Sequence, residues 1–141
     1  MSKVRREIVR PRLEGIHPDL EALAHPVGDH ARKLRATGEK LLRTHGENVV
    51  LRQWQQKRLA DAAADLYAQI ATLSRVNGIF EERGVEASGQ ERYIAETFCS
   101  RAGRRIERQL DEVDQNDDER MHSIAELAYN RGGYDLPLYR S

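Results

Sequence analysis

The sequence predicts an all-α protein: an antiparallel four-helix bundle with an irregular N-terminal segment. Three observations carry this. Ala, Glu, Lys, Leu and Arg make up nearly half of the 141 residues, with 33% charged and only 6% aromatic. That balance suits long solvated helices with one apolar stripe each. Residues 59 to 80 space apolar side chains at alternating steps of four and three, the heptad signature of a helical seam. Finally, nothing alternates strands with helices or packs β-branched runs between close turns, which excludes a doubly wound sheet, a sandwich and a barrel.

Residues 1–28 read as an arm or linker. Lys3, Arg5, Arg6, Arg10 and Arg12 face a single Glu7 near the start, and Pro11, Gly15, Pro18, Pro26 and Gly28 interrupt any helix longer than a short turn. The bundle is expected over 29–133. Its first helix, about 29–45, places Ala31, Leu34, Gly38, Leu41 and His45 on one side and ends at Gly46. The second, about 47–83, carries the seam Leu59, Ala63, Leu66, Ile70, Leu73, Asn77 and Phe80, with Asn77 as the one polar member. Val50 and Trp54 extend it upstream. Such a helix is ~50 Å long and needs packing partners.

The third helix, about 88–114, opens with Ser88 and Glu91 in capping-box spacing. Its apolar face is Ile94, Phe98, Ala102, Ile106, Leu110 and Val113, and beside it lies a strip of small residues, Ala95, Cys99 and Gly103. The fourth, about 117–131, is capped by Asn116 or Asp117 and stopped by Gly132-Gly133; Met121, Ile124, Ala125 and Ala128 are expected to face inward. Residues 134–141 read as an extended tail.

Charge and motifs exclude more than they assign. Lys and Arg number 23, as do Asp and Glu, so no general attraction to nucleic acid or anionic lipid follows. No apolar run spans a bilayer, and the charged start lacks the apolar stretch of a signal peptide. The single Cys99 forms no internal disulfide, which suits a reducing compartment. Two Glu-x-x-His strings, Glu14 to His17 and Glu119 to His122, resemble half of a di-metal set, but the seam supplies no inward Glu to complete it. His25 and His30 read as solvated linker residues, and Cys99 as a packing residue. Arg101, Arg104, Arg105 and Arg108 read as a solvated face suited to a protein partner, because no nucleic-acid motif accompanies them. Arg58, Asp61 and Asp65 read as an ion-pair network fixing helix contacts. No catalytic, cofactor or metal residue is assigned.

The ordered stretches Arg58-Leu59-Ala60-Asp61, Asp65-Leu66-Tyr67-Ala68, Leu73-Ser74-Arg75, Glu96-Thr97-Phe98-Cys99, Arg104-Arg105-Ile106, Ser123-Ile124-Ala125 and Asn130-Arg131-Gly132-Gly133 resemble the C-terminal helical extension of very-long-chain-type acyl-CoA dehydrogenases. The turn at Leu42 to Asn48 is similar too, so the resemblance runs over roughly 30–133. It implies an accessory helical domain with a structural and assembly role in a fatty-acid β-oxidation enzyme. FAD and the catalytic Glu belong to the preceding catalytic domains, which are the implied partners in a homodimer. No cofactor is bound by this chain itself. The implied location is mitochondrial in a eukaryote and cytoplasmic in a bacterium. Residues 1–28 depart from the amphipathic membrane-binding segment of some members, because Glu14, Asp19, Glu21 and Asp29 interrupt it. The alternative is a free-standing helical protein-interaction or regulatory bundle.

Overall fold

The computed structural model describes residues 13–133. Four α-helices form in chain order: α1, Glu21–His45; α2, Gln53–Arg83; α3, Gly89–Asp111; and α4, Asp118–Arg131. Short 3-10 turns precede α1 at Pro18–Leu20 and α3 at Glu86–Ser88, and a longer one, Gly46–Leu51, joins α1 to α2. Among the described residues there is no strand, so the all-α helical bundle stands. The expected basic start and extended tail fall on 1–12 and 134–141, outside the described residues.

α1 begins eight residues before the expected start, so residues 21–28 are helical rather than linker. Pro26 sits in the second turn, where its missing N–H leaves the Ala22 carbonyl without its usual partner. Burial offsets that loss: Leu20 and Val27 are fully enclosed, and Leu23 and Ala24 pack beside them. The lead-in is fixed as well. The Asn77 side chain accepts from the His17 N–H at 2.7 Å and donates to the Gly15 carbonyl at 3.2 Å. The polar member of the seam therefore holds the entering backbone against α2, and the His17 ring meets Phe80 edge-on.

The second helix starts later than expected. Gly46 has φ +52° and Arg52 leaves helical geometry at ψ 56°, so 46–51 is a separate 3-10 segment. Val50 and Trp54 consequently stay exposed instead of extending the seam. Along α2 the buried positions are Ala62, Leu66, Gln69, Leu73, Val76, Ile79 and Phe80. Leu66, Leu73 and Phe80 are where the heptad put them. Ala63, Ile70 and Asn77 yield their places to Ala62, Gln69 and Val76, one residue earlier each time.

α3 packs against α2 through the small strip. Ala95, Cys99, Ala102, Gly103, Ile106 and Leu110 are buried, whereas Ile94, expected inside, is 55% exposed. Small side chains let the two backbones approach, which rotates the bulkier Ile94 and Phe98 edge outward. The expected capping box is absent: Ser88 Oγ donates backward to the Gly84 carbonyl at 2.7 Å, and Glu91 lies near Arg83. Helix α3 ends at Asp111, and Val113 is buried in the turn beyond it. α1 and α3 run parallel, linked by Lys33 to Glu107 and Asp111 and by Lys40 to Asp114.

Three helices thus close one core. α4 buries no residue, and Met121, Ile124 and Leu127 are all slightly more than half exposed. The expectation that Met121, Ile124, Ala125 and Ala128 face inward is overturned, because α1, α2 and α3 already cover one another's stripes. What fixes α4 is polar: Arg58 donates from both terminal nitrogens to the Asp118 carboxylate at 2.6 and 2.7 Å.

Candidate functional site

The interior contains one polar cluster built across three helices. Gln69 on α2 is 1% exposed. Its Nε2 donates to the Cys99 carbonyl on α3 at 2.8 Å, which leaves Oε1 as an acceptor 3.3 Å from His30 Nδ1 on α1. His30 therefore carries a proton on Nδ1. Its Nε2 faces Glu107 Oε1 at 3.5 Å, and Glu107 also binds Lys33. The ring fits because position 103 has no side chain: a Cβ there would stand 2.9 Å from His30 Cε1. His30 is thus a buried element of the core, not the solvated linker residue expected. Burial of its imidazole and of the Gln69 amide is tolerated because each polar atom meets a partner.

This cluster has no nucleophile poised for chemistry. Cys99 contributes its backbone carbonyl, and burial pushes its thiol above the ordinary range. That matches the packing role read from its neighbours. The other sequence candidates disperse. His25 is exposed and faces Asp29. His17 is engaged with backbone, and His122 pairs with Glu126 on the surface of α4. Among the described residues no three His, Cys, Asp or Glu side chains gather as metal ligands.

The ion pairs do cross-link helices, with partners other than sequence proximity suggests. Arg58 binds Asp118 rather than Asp61, and Asp61 pairs with Lys57. Asp65 receives Arg105 from α3, with Nε at 2.9 Å. Hydrogen bonding from Arg58 holds the Asp118 carboxyl below its usual range, and those to Asp111 and then Glu107 hold the Lys33 ammonium above its own. Of the four clustered arginines, Arg105 is committed to Asp65, while Arg104 donates to Ser100 on its own helix. Arg101 and Arg108 are exposed.

What remains functional is surface. One shallow apolar depression runs along α3, lined by Tyr93, Ile94, Thr97 and Phe98 with Arg101 and Arg105 at its end. A second groove lies between the start of α2 and α4, where Leu51 and Trp54 face Met121 and Ala125. Sequence periodicity missed both, because it assigned Ile94 and Met121 to the core. Both are open to solvent. No described helix is long and apolar enough to cross a membrane.

Residues 18–134 match the family described as ACAD9/ACADV, C-terminal domain. The chain is 26% identical over 123 residues to the mitochondrial very long-chain specific acyl-CoA dehydrogenase of Rattus norvegicus. It is 29% identical over 123 residues to the enzyme of that name from Homo sapiens, and 29% over 125 residues to that of Macaca fascicularis. Each match covers 84% of this chain but 19% of the relative, so the chain spans about a fifth of their length. The four helices, the collinear motifs and a match running from the first 3-10 turn past the end of α4 agree, and the chain belongs to the ACAD9/ACADV C-terminal domain family.

Proposed function

We propose that this chain is an accessory helical domain of an FAD-dependent acyl-CoA dehydrogenase of fatty-acid β-oxidation, with a structural and assembly role and no catalytic residue of its own. The observation that carries it is the apolar face of α3. Tyr93, Ile94 and Phe98 line an open depression with Arg101 at its end, on a bundle whose buried His30 and Gln69 are occupied with holding three helices together. A face of this kind fits a protein surface, and the catalytic domains of the parent enzyme are its partner. FAD accepts a hydride from the acyl thioester in those domains. The residues described here stabilise the body that holds the flavin and touch no reacting carbon. The parent enzyme is a homodimer, mitochondrial in a eukaryote and cytoplasmic in a bacterium.

The test compares the acyl-CoA dehydrogenase carrying this domain with its Ile94→Glu variant. Position 94 is exposed, so the bundle still folds. The variant should lose assembled enzyme on sizing and release flavin at lower temperature, while the assembled fraction reduces flavin with long-chain acyl-CoA at the original rate. The isolated chain, mixed with FAD, should show no bound flavin spectrum. Slowed flavin reduction in fully assembled variant, or stoichiometric FAD on the isolated chain, overturns the proposal.

A further inference from the structure

We propose that His30 is a proton-linked clasp between α1 and α3: in the folded chain its ring carries protons on both nitrogens, one held by Gln69 and the other by Glu107. This concerns the interior and is independent of the reading of the α3 face. A backbone carbonyl only accepts, so the end of Gln69 that meets the Cys99 carbonyl at 2.8 Å is Nε2. Oε1 is then the end turned to His30. It too only accepts, so His30 Nδ1 at 3.3 Å donates. A neutral imidazole has a single N–H. With that proton on Nδ1, the other nitrogen would turn a lone pair toward Glu107 Oε1 at 3.5 Å, acceptor against acceptor. A second proton, on Nε2, converts this opposition into an ion pair. Turning the ring over offers no escape, since Gln69 Oε1 would then meet a ring carbon and lose its donor.

The charges around the ring favour the second proton. From α3, Glu107 faces Nε2 and Asp111 lies one turn further on. From α1, Lys33 binds both carboxylates. One ammonium against two carboxylates leaves a single negative charge, which an imidazolium neutralises. Asp29, beside His30 on α1, meets Arg32 and His25. Arg104, beside Gly103 on α3, donates to Ser100. From α2 the ring meets the neutral Gln69, and Asp65, one turn earlier, is held by Arg105. Burial opposes any charge on a ring only 8% exposed. Here, however, both N–H groups of the imidazolium face an acceptor, whereas the neutral form sets a buried acceptor against a carboxylate. Glu107 is half-exposed, so solvent screens part of its pull and the response is graded. Acid therefore tightens the α1–α3 contact. The clasp is complete below the ordinary imidazole value of ~6.5 and is lost as rising pH strips Nε2 in the folded chain.

Two measurements on the 141-residue chain test this. Nitrogen-15 spectra of histidine-labelled protein at pH 7, with the His30 signals identified by their loss in His30→Gln, should show both ring nitrogens protonated. In Glu107→Gln, Nε2 should stand unprotonated at the same pH with Nδ1 unchanged. In Lys33→Met, which removes the competing cation, the Nε2 proton should persist to higher pH than in the wild type. Urea unfolding should give a folding constant, wild type over Glu107→Gln, that is about fivefold larger at pH 6 than at pH 8.5. Lys33 and residue 107 do not titrate across that window, so the change reports the imidazole. An unprotonated Nε2 in the wild type at pH 7, an unaltered ring in Glu107→Gln, earlier loss of the proton in Lys33→Met, or a ratio that does not vary with pH overturns the proposal.

Discussion

Replacing Gly103 by Ala measures how tightly α1, α2 and α3 close on one another. In an exposed helix, Gly→Ala stabilises by ~1 kcal/mol. At position 103 the new methyl would stand 2.9 Å from His30 Cε1 and 3.5 Å from Gln69 Nε2. The imidazole has little freedom to retreat. Its Nδ1 is bound to Gln69 and its Nε2 faces Glu107, so moving outward loosens both contacts. Overpacking of this kind costs ~1–3 kcal/mol, which outweighs the propensity gain at most of that range. Gly78 supplies the control, since it lies within α2 and a methyl there meets nothing within 4 Å. Gly78→Ala should therefore stabilise by ~0.5–1 kcal/mol, and Gly103→Ala should fall below it by ~1–3 kcal/mol. At roughly 4 °C per kcal/mol for a domain of this size, thermal melts followed by circular dichroism resolve the two. Shortening His30 to Ala in the Gly103→Ala background should recover part of the loss. A Gly103→Ala protein as stable as Gly78→Ala would refute the close packing of the three helices around this ring.

Leu73→Ala, at a fully buried seam position, should cost ~2–5 kcal/mol in urea unfolding, whereas Ile94→Ala on the exposed edge should stay within ~0.5 kcal/mol; equal losses would mean the core is elsewhere. Asp118 is held below its ordinary value of 3.8 by Arg58. Its contribution is therefore complete above that pH and is lost as pH falls through the lowered folded value, so hydrogen exchange corrected for intrinsic rates should show α4 losing protection in acid while Asp118→Asn loses it already at neutral pH. Cys99, buried and with its thiol pushed up, should react with a thiol reagent at pH 8 at least tenfold more slowly in the native protein than in denaturant; equal rates would place the sulfur at the surface.

The sequence made the helical class and the seam of α2 visible, and it did so unevenly for a physical reason. Leu66, Leu73 and Phe80 recur every seven residues and are apolar, so any periodic reading finds them. Between them, choosing the more apolar neighbour selects Ile70 over Gln69. Yet Gln69 is the buried one, because His30 and the Cys99 carbonyl, 39 and 30 residues away, satisfy its amide. A polar side chain whose partners lie on other helices is invisible to local hydropathy. The series Ala62, Leu66, Gln69, Leu73, Val76, Phe80 keeps the same alternation of four and three, so the register was legible to a reading that tolerated one amide. Pro26 misled in the opposite direction. Its local cost is real, but Leu20 and Val27 gain burial on both sides of it. The stripe on α4 has helical periodicity yet buries no residue among the described ones, a distinction no single sequence carries. The surfaces at Ile94 and Met121 were hidden for that same reason, since amphipathicity reports that a face seeks cover and not whether its own chain provides it.

Asn77 binds the chain ahead of α1 through the N–H of His17 and the carbonyl of Gly15, groups that every residue but proline presents in the same form. The mutational burden at this junction is therefore lopsided. Glu14 is free to drift without moving the path, while Gly15 is kept by its φ of +73° and Ile16 by its packing against the core; Asn77 has no substitute that both donates and accepts from the same reach, since Asp keeps only the acceptor and Leu neither. A library randomised at 14 and at 77 should return many solutions at the first position and nearly one at the second. Residues 15–17 thus meet the bundle at an address written on α2, far along the chain from the segment it positions.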